Sequence, residues 1–295
     1  MRINPNPLPD LLAALSQNEQ EINTDLAEIS SGQSVNVPSD NPASAALLVQ
    51  NADQTAEADQ YLRSISSVQG ELQNADSALS SVVTALQRAI SLGVEGANGT
   101  VNAADRQAIA TQVQGIQSQL VSLANLSYQG SYVFAGTATQ TAPYVLDTSS
   151  PSGVTYVGNS EVNSITVGDS FTIQTNLPGS QLFSGSGNDV FQAVQDLITG
   201  LQSGNNISGA VSELNSAYDS INQQRVFYGN QVEQLQSQTT FLNSETTQLA
   251  EQQDTLGAAD LPSVITNLAS AQTSRQATLE AVAETQQTNL FNYLK

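Results

Sequence analysis

Cysteine and histidine are both absent from this chain of 295 residues, tryptophan is missing too, and lysine occurs once, at Lys295. Without cysteine there are no disulfides, no thiolate metal sites and no thiol nucleophile. Without histidine the commonest general base and the commonest metal ligand are gone. One terminal lysine offers no buried amine for Schiff-base chemistry. The expectation is a protein with no catalytic, cofactor-binding or metal site. Positive charge is scarce as well: Arg2, Arg63, Arg88, Arg106, Arg225, Arg275 and Lys295 face 27 acidic residues, for a net charge of −20. These seven are scattered, whereas nucleic acid and anionic membrane surfaces both call for clustered basic residues. Neither is expected as a partner, and the acidity reads as a solvated surface. No apolar run of about 18 residues exists, so no membrane-spanning helix is expected. The first twenty residues hold one arginine and no compact apolar core, unlike a cleavable secretory signal. The expected location is cytosolic or, if exported, reached by a route that reads no such signal.

What is present is helical periodicity. Charged residues are only 12% of the chain, with Gln, Asn, Ser and Thr in their place, which lets helices pack side by side without strong repulsion. Apolar residues at steps of three or four mark Ala58, Tyr61, Ile65, Val68, Leu72, Ala75, Leu79, Val82, Leu86 and Ala89. Such a seam predicts a helix about 45 Å long. A shorter one runs through Ile109, Val113, Ile116, Leu120 and Leu123. A third passes Leu214, Tyr218, Ile221, Arg225, Tyr228, Val232, Leu235, Thr239, Leu242, Thr246, Leu249, Gln253 and Leu256. Its polar members weaken a coiled coil but can fix its register. The expected bundle core is Ile65, Val68, Leu72, Leu79, Val82, Leu86, Ile109, Val113, Ile116, Leu120, Leu214, Ile221, Val232, Leu235, Leu242 and Leu249.

Both ends carry narrower stripes, of the kind that forms a coiled-coil seam. Leu8, Leu15, Ile22 and Ile29 fall at strict seven-residue steps, with Leu11 between. Near the other end Ile265, Leu268, Leu279 and Val282 mark a seam interrupted by Gln272, Arg275 and Gln286, and Leu290, Phe291, Tyr293 and Leu294 form an apolar tip. These residues are the expected assembly interface, with Asn18 and Asp25 as polar interruptions.

Helix starts are legible at Ser39-Asp40-Asn41-Pro42, at Asn102 to Asp105, and at Asp260-Leu261-Pro262. Breaks are expected at Ser31-Gly32, from Gly93 to Gly99 and from Gly200 to Gly209. The glycines at 93, 96 and 99 follow a helical pattern rather than a strand, so an inter-helix turn is preferred to a phosphate loop. Between about 141 and 185 the period changes. Val162–Val167, Gly168-Asp169 and Ser170–Thr175 read as a β-hairpin with a two-residue turn, and Val154–Val157 as its neighbouring strand. Tyr128, Tyr132, Tyr144 and Tyr156 flank this stretch and read as packing.

The expected fold is mainly α: a long coiled-coil-like helical bundle formed by both chain halves, with a small β-rich inserted domain. The expected division is 1–40 with 257–295 as paired terminal helices, 41–140 with 186–256 as the bundle, and 141–185 as an insertion that the bundle does not need. The two ends are expected together.

Four stretches resemble the flagellin superfamily: residues 31–43 (SGQSVNVPSDNPA); Ala97-Asn98-Gly99-Thr100 with Asp105 to Ile109; Ala124-Asn125 with Gly130 to Thr137, which includes Phe134-Ala135-Gly136; and Asn289 to Leu294. The last two are similar to the branch that joins hook to filament. Asn41 stands where a second aspartate is usual. The resemblance implies a structural subunit of the bacterial flagellum, exported unfolded through the type III apparatus with a chaperone and located outside the cell. Its implied partners are copies of itself in a ring, a hook-associated protein on the hook side, and flagellin on the filament side. Two alternatives stand beside it: a flagellin-type filament subunit, and a secreted hydrolase with an acidic catalytic pair.

Overall fold

The computed structural model describes residues 8–185 and 189–293, with side chains described through residue 285. Helices dominate: α1 (Leu8–Ser31), α2 (Pro42–Gly96), α3 (Ala103–Ala124), α4 (Gly179–Leu182), α5 (Val190–Ser203), α6 (Ile207–Gly257) and α7 (Leu261–Tyr293). Between α3 and α4 lie six short strands: β1 (Ser127–Tyr128), β2 (Ser131–Tyr132), β3 (Tyr144–Leu146), β4 (Val154–Tyr156), β5 (Ser164–Thr166) and β6 (Thr172–Gln174). They pair antiparallel as β1–β2, β3–β4 and β5–β6. The chain divides into two compact units, 1–57 with 244–295 and 58–243, and α2 and α6 each contribute to both.

Unit 58–243 holds one continuous hydrophobic core. On α2 the buried positions are Ala58, Ile65, Val68, Leu72, Ala75, Leu79, Val82, Leu86 and Ala89, with Tyr61 half-buried. Further along, Ala78, Val83 and Ala85 are buried as well, so the narrow stripe widens into the broad face of a globular core helix. On α6, Leu214, Ile221, Tyr228, Leu235 and Leu242 are buried at seven-residue steps, while Tyr218, Arg225, Val232 and Thr239 between them are half-buried. Polar residues on this second row are held by specific bonds. The Arg225 guanidinium meets the Asp76 carboxylate on α2 at 2.8 and 3.1 Å. The Thr239 hydroxyl donates back to the Leu235 carbonyl at 2.8 Å.

Asn102 caps α3 as expected, its Oδ1 accepting from the Asp105 N–H at 2.9 Å, and the structure adds a cap on α5, where Asp189 Oδ1 accepts from Gln192 N–H at 2.9 Å. Asn41 caps α2 by accepting from Ser44 N–H at 3.2 Å, so an amide suffices there.

Four expectations are corrected. First, α2 does not break at Gly93 but continues to Gly96. Both glycines are buried, and a Cβ at Gly93 would meet Val211 Cγ2 at 2.6 Å while one at Gly96 would run into Leu201. These glycines admit neighbouring side chains, which offsets their low helix propensity. Second, the β5–β6 register pairs Thr166 with Thr172, one residue from the register of a two-residue turn. The Val167 N–H donates to the Phe171 carbonyl and the Phe171 N–H to Gly168, leaving a three-residue loop of Gly168, Asp169 and Ser170. Third, β4 pairs with β3 rather than with this hairpin.

Fourth, the stretch from 141 to 185 shares its hydrophobic core with the helices instead of forming a core of its own. Tyr144, Val154, Val167, Ile173, Leu177, Leu182 and Phe183 belong to the same core cluster as the seams of α2, α3 and α6. Asn125 on the α3 cap clamps Tyr144 by two bonds, 2.7 Å to its carbonyl and 2.8 Å from its N–H. Gln117 on α3 donates to the Ser152 carbonyl at 3.3 Å, and Gln238 on α6 to the Val167 carbonyl at 2.9 Å. The Tyr144 ring packs on Phe191 of α5 at 4.9 Å and on Phe183 at 5.6 Å.

Two expected outcomes follow. Leu79→Ala, at a fully buried position, should lower unfolding free energy by about 2–5 kcal/mol in a denaturant melt. Excising residues 141–183 with a short linker should abolish the cooperative thermal transition of the unit. An unchanged helical melt after excision would contradict the shared core.

Candidate assembly site

Unit 1–57 with 244–295 is built differently. Its buried side chains are few: Asn51, Leu249, Val264 and Ala271 among the described residues. Helix α1 buries none of its side chains fully. Its half-buried residues are Leu8, Leu11, Leu15, Asn18, Ile22, Asp25, Glu28 and Ile29, a heptad stripe with polar members at 18 and 25. On α7 the facing line is Val264, Leu268, Ala271, Arg275, Thr278, Val282 and Thr285, again at steps of three and four. The helices run antiparallel. Asn18 Nδ2 donates to Ser274 Oγ at 3.2 Å, Arg275 meets Glu19 at 3.6 Å, and an antiparallel bridge joins Gln33 to Ala258.

This seam departs from the expected one on α7. Ile265 and Leu279 are 55% and 44% exposed and lie one residue past the seam, which passes through Val264 and Thr278 instead. Small Ala271, not an aliphatic anchor, closes the middle. Gln272 is exposed and off the seam, whereas Arg275 lies on its line and pairs outward with Glu19. Leu268 and Val282 are half-buried in the pair. The side chains of Leu290, Phe291, Tyr293 and Leu294 lie outside the described residues. A groove of about 370 Å³ runs along the pair, lined by Asn18, Glu21, Asp25, Asn267, Ser270, Ala271 and Ser274. The middle of the seam is therefore polar and underpacked.

A second apolar stripe flanks the first. Leu12 and Leu26 on α1 are 50% and 48% exposed, and together with Ile265 and Leu279 they sit one residue past the seam on their helices. In the register set by Gln33 and Ala258, Leu26 comes level with Ile265 and Leu12 with Leu279. The signal for Leu12 and Leu26 was in the sequence: they stand two heptads apart, with Glu19 at the position between, and are offset by one from Leu11 and Asp25.

The segment from 31 to 43 closes this unit. Gly32, at φ +71, ends α1 with its N–H on the Glu28 carbonyl at 2.8 Å. Its own carbonyl accepts from Ala259 N–H at 3.0 Å, and Ser34 N–H donates to Gly257 at 2.7 Å. Asp40 Oδ2 accepts from the N–H groups of Asn36 and Val37, both at 2.9 Å, and folds the loop. The run from Phe134 to Gly136 is also structural. Phe134 and Ala135 are fully buried in unit 58–243, and their carbonyls accept from Gly179 and Asn159 N–H groups at 2.8 and 3.1 Å. Gly136 adopts φ +69 against Asn159, where a Cβ would collide with that residue's backbone.

A model of the bacterial flagellin N-terminal helical region matches residues 9–139, the stretch that contains α1, the 31–43 loop and the Phe134 run. Flagellar hook-associated protein 3 of Escherichia coli is 32% identical over 168 residues, covering 57% of this chain and 49% of that protein. Its counterpart of the same name in Salmonella typhimurium is 37% identical over 118 residues, covering 40% of this chain and 37% of that protein. Over this stretch the chain is similar to flagellins and flagellar hook-associated proteins. The matches span 49% and 37% of the length of these curated relatives. The fold agrees with that of a solved structure, the flagellar junction protein FlgL from Legionella pneumophila, at a TM-score of 0.62 and 14% identity, covering 72% of this chain and 100% of that one.

Glu28 supplies a test of the elbow between α1 and the loop. Burial raises its pKa above the ordinary glutamate value, and the charges of Asp25 and Asp40 raise it further. A raised folded pKa means the native state holds the proton more tightly. Its stabilising share is full below the unfolded pKa and is lost as pH rises through the folded value. Glu28→Gln should therefore slow amide exchange in α1 at neutral pH and flatten the slowing that the parent shows on acidification. Exchange rates in α1 that fall equally with acid in both proteins would contradict this reading.

Proposed function

We propose that this chain is a structural subunit of the bacterial flagellum that joins the hook side to the flagellin filament. It works by helix assembly, not by catalysis. The observation that carries this reading is the terminal helix pair: α1 and α7 make an antiparallel seam that is polar in the middle, and they leave Leu12, Leu26, Ile265 and Leu279 exposed beside it. Burying a leucine or isoleucine side chain contributes about 1.5–3 kcal/mol, so covering such a stripe is a strong drive to associate. The occupants we assign are neighbouring copies in a ring, a hook-associated protein on one side and flagellin on the other. Assembly residues are Leu8, Leu11, Leu15, Ile22, Ile29, Ile265, Leu268, Leu279, Val282 and the apolar tip at Leu290, Phe291, Tyr293 and Leu294. Delivery is by a type III export chaperone to the outside of the cell. Both curated relatives share the name of the junction protein, which favours this role over that of a filament subunit.

Two measurements test it. Immunogold labelling of a tagged chain should give a band at the distal end of the hook; label along the whole filament would show a filament subunit instead. Ile265→Asp with Leu279→Asp changes side chains that are already exposed, so the thermal midpoint of the free subunit should hold while cells shed filaments into the medium. Normal motility with these two substitutions would remove the exposed stripe from the assembly surface.

A further inference from the structure

The turn between α2 and α3 holds chemistry that the assembly role does not use. Asn98-Gly99 is the one Asn-Gly pair in the sequence. Asn98 is exposed, and a Cβ built on Gly99 would meet nothing within 4 Å. Asn98 Oδ1 accepts two hydrogen bonds, from the Thr100 N–H at 3.2 Å and from the Thr100 hydroxyl at 3.0 Å. Among the described residues, no acceptor takes the Gly99 N–H and none takes the Asn98 amide hydrogens.

We infer that Asn98-Gly99 is a self-modifying site at which the Asn98 amide is lost and replaced by aspartate and isoaspartate. Solvent base removes the Gly99 amide proton, and the nitrogen attacks Asn98 Cγ to form a C–N bond. The negative charge that develops on Oδ1 lies at the two Thr100 donors, the arrangement of an oxyanion hole. Asn98 Nδ2 takes a proton from water and leaves as ammonia, giving a cyclic imide. Water then opens the imide at either carbonyl. Opening at one leaves an ordinary aspartate at this position; opening at the other routes the main chain through the former side-chain carbon. No redox change occurs, and water is the only co-reactant. Gly99 suits the nucleophile because it has no side chain to block the approach.

Among the described residues, the asparagines that precede serine lack this arrangement. Asn159 precedes Ser160, but its amide group is tied to the Thr137 hydroxyl at 2.7 Å. Asn215 and Asn243 precede serines inside α6, where the following N–H belongs to the helix ladder. The consequence at residue 98 is local. A new carboxylate appears next to Glu95, whose carbonyl accepts from Asn98 N–H at 3.1 Å. The isoaspartyl form also lengthens the main chain inside the turn that Asn98 closes by accepting from Val101 N–H at 3.0 Å.

The full chain, held in mildly alkaline buffer made with heavy-oxygen water and then mapped by peptide mass spectrometry, tests this. Residue 98 should be the first asparagine to convert, carrying one heavy oxygen and separating into aspartyl and isoaspartyl peptides. Thr100→Val should slow the conversion several-fold, and Thr100→Ser, which keeps both donors, should restore it. Circular dichroism melts of both variants check that the turn still folds. Retention of the amide at 98 while other asparagines convert would overturn the inference, as would equal rates in the parent and in folded Thr100→Val.

Discussion

Burial of one face of α2, from Ala58 to Ala89, is the constraint on which unit 58–243 depends. The face is too broad for a two-helix seam, and α3, α5 and α6 share its hydrophobic core with Tyr144, Val154 and Ile173 of the short strands. Helix α6 supplies its buried row at Leu214, Ile221, Tyr228, Leu235 and Leu242; α3 supplies Ile109, Val113, Ile116 and Leu120. The short hairpins belong to this same cover. Strands of two or three residues have little stability alone, and here Tyr144, Phe183 and Phe191 lock them to α5 while Asn125, Gln117 and Gln238 satisfy their backbone groups. Polar bonds and apolar burial act together, because a strand edge brought into a core must have its carbonyls paired.

The terminal unit solves a different problem. A helix pair with a single narrow stripe buries little, and its ordering entropy is correspondingly hard to offset. Asn18 and Asp25 on α1 and Thr278 on α7 replace apolar layers with polar ones, which costs stability but restricts the register. The loop from Gly32 to Asn41 then ties α1 to the α6–α7 joint through main-chain bonds that read no side chain. Such a pair suits a surface that is completed by something else. The low charge of the helices, with amides and hydroxyls in place of lysine and glutamate, lets close neighbours approach despite a net charge of −20.

Much of this was legible in the residues, and the failures have identifiable causes. The α2 and α6 seams could be read because large aliphatic residues repeat without a gap. On α7 Leu268 and Val282 lie on the line that was read, but Ile265 and Leu279 fall one residue past it, because Val264, Ala271 and Thr278 are smaller or more polar than their exposed neighbours. Only the register with α1 selects those smaller residues. Gly93 looked like part of the helix end, which comes three residues later at Gly96, because the sequence shows its low propensity but not Val211 and Leu197 pressing against it. The β stretch was recognisable by its period, yet alternation says which face of a strand is apolar and not what covers it. That left the anchoring of Tyr144 and Phe183 to α5 invisible. The Phe134-Ala135-Gly136 run carried the family likeness, and the structure gives its physical reason: two paired carbonyls, of Phe134 and Ala135, and one positive φ at Gly136.

The central claim is that unit 58–243 is stable by itself whereas the α1–α7 pair is completed by its neighbours. Hydrogen exchange read by mass spectrometry, on the free subunit and on the subunit assembled with its partners, compares the two directly. The account predicts slow exchange for α2 residues 58–96 in both states, and for α1 and α7 fast exchange when free and slow exchange when assembled. Amides of α1 in the free subunit protected as strongly as those of α2 would contradict it.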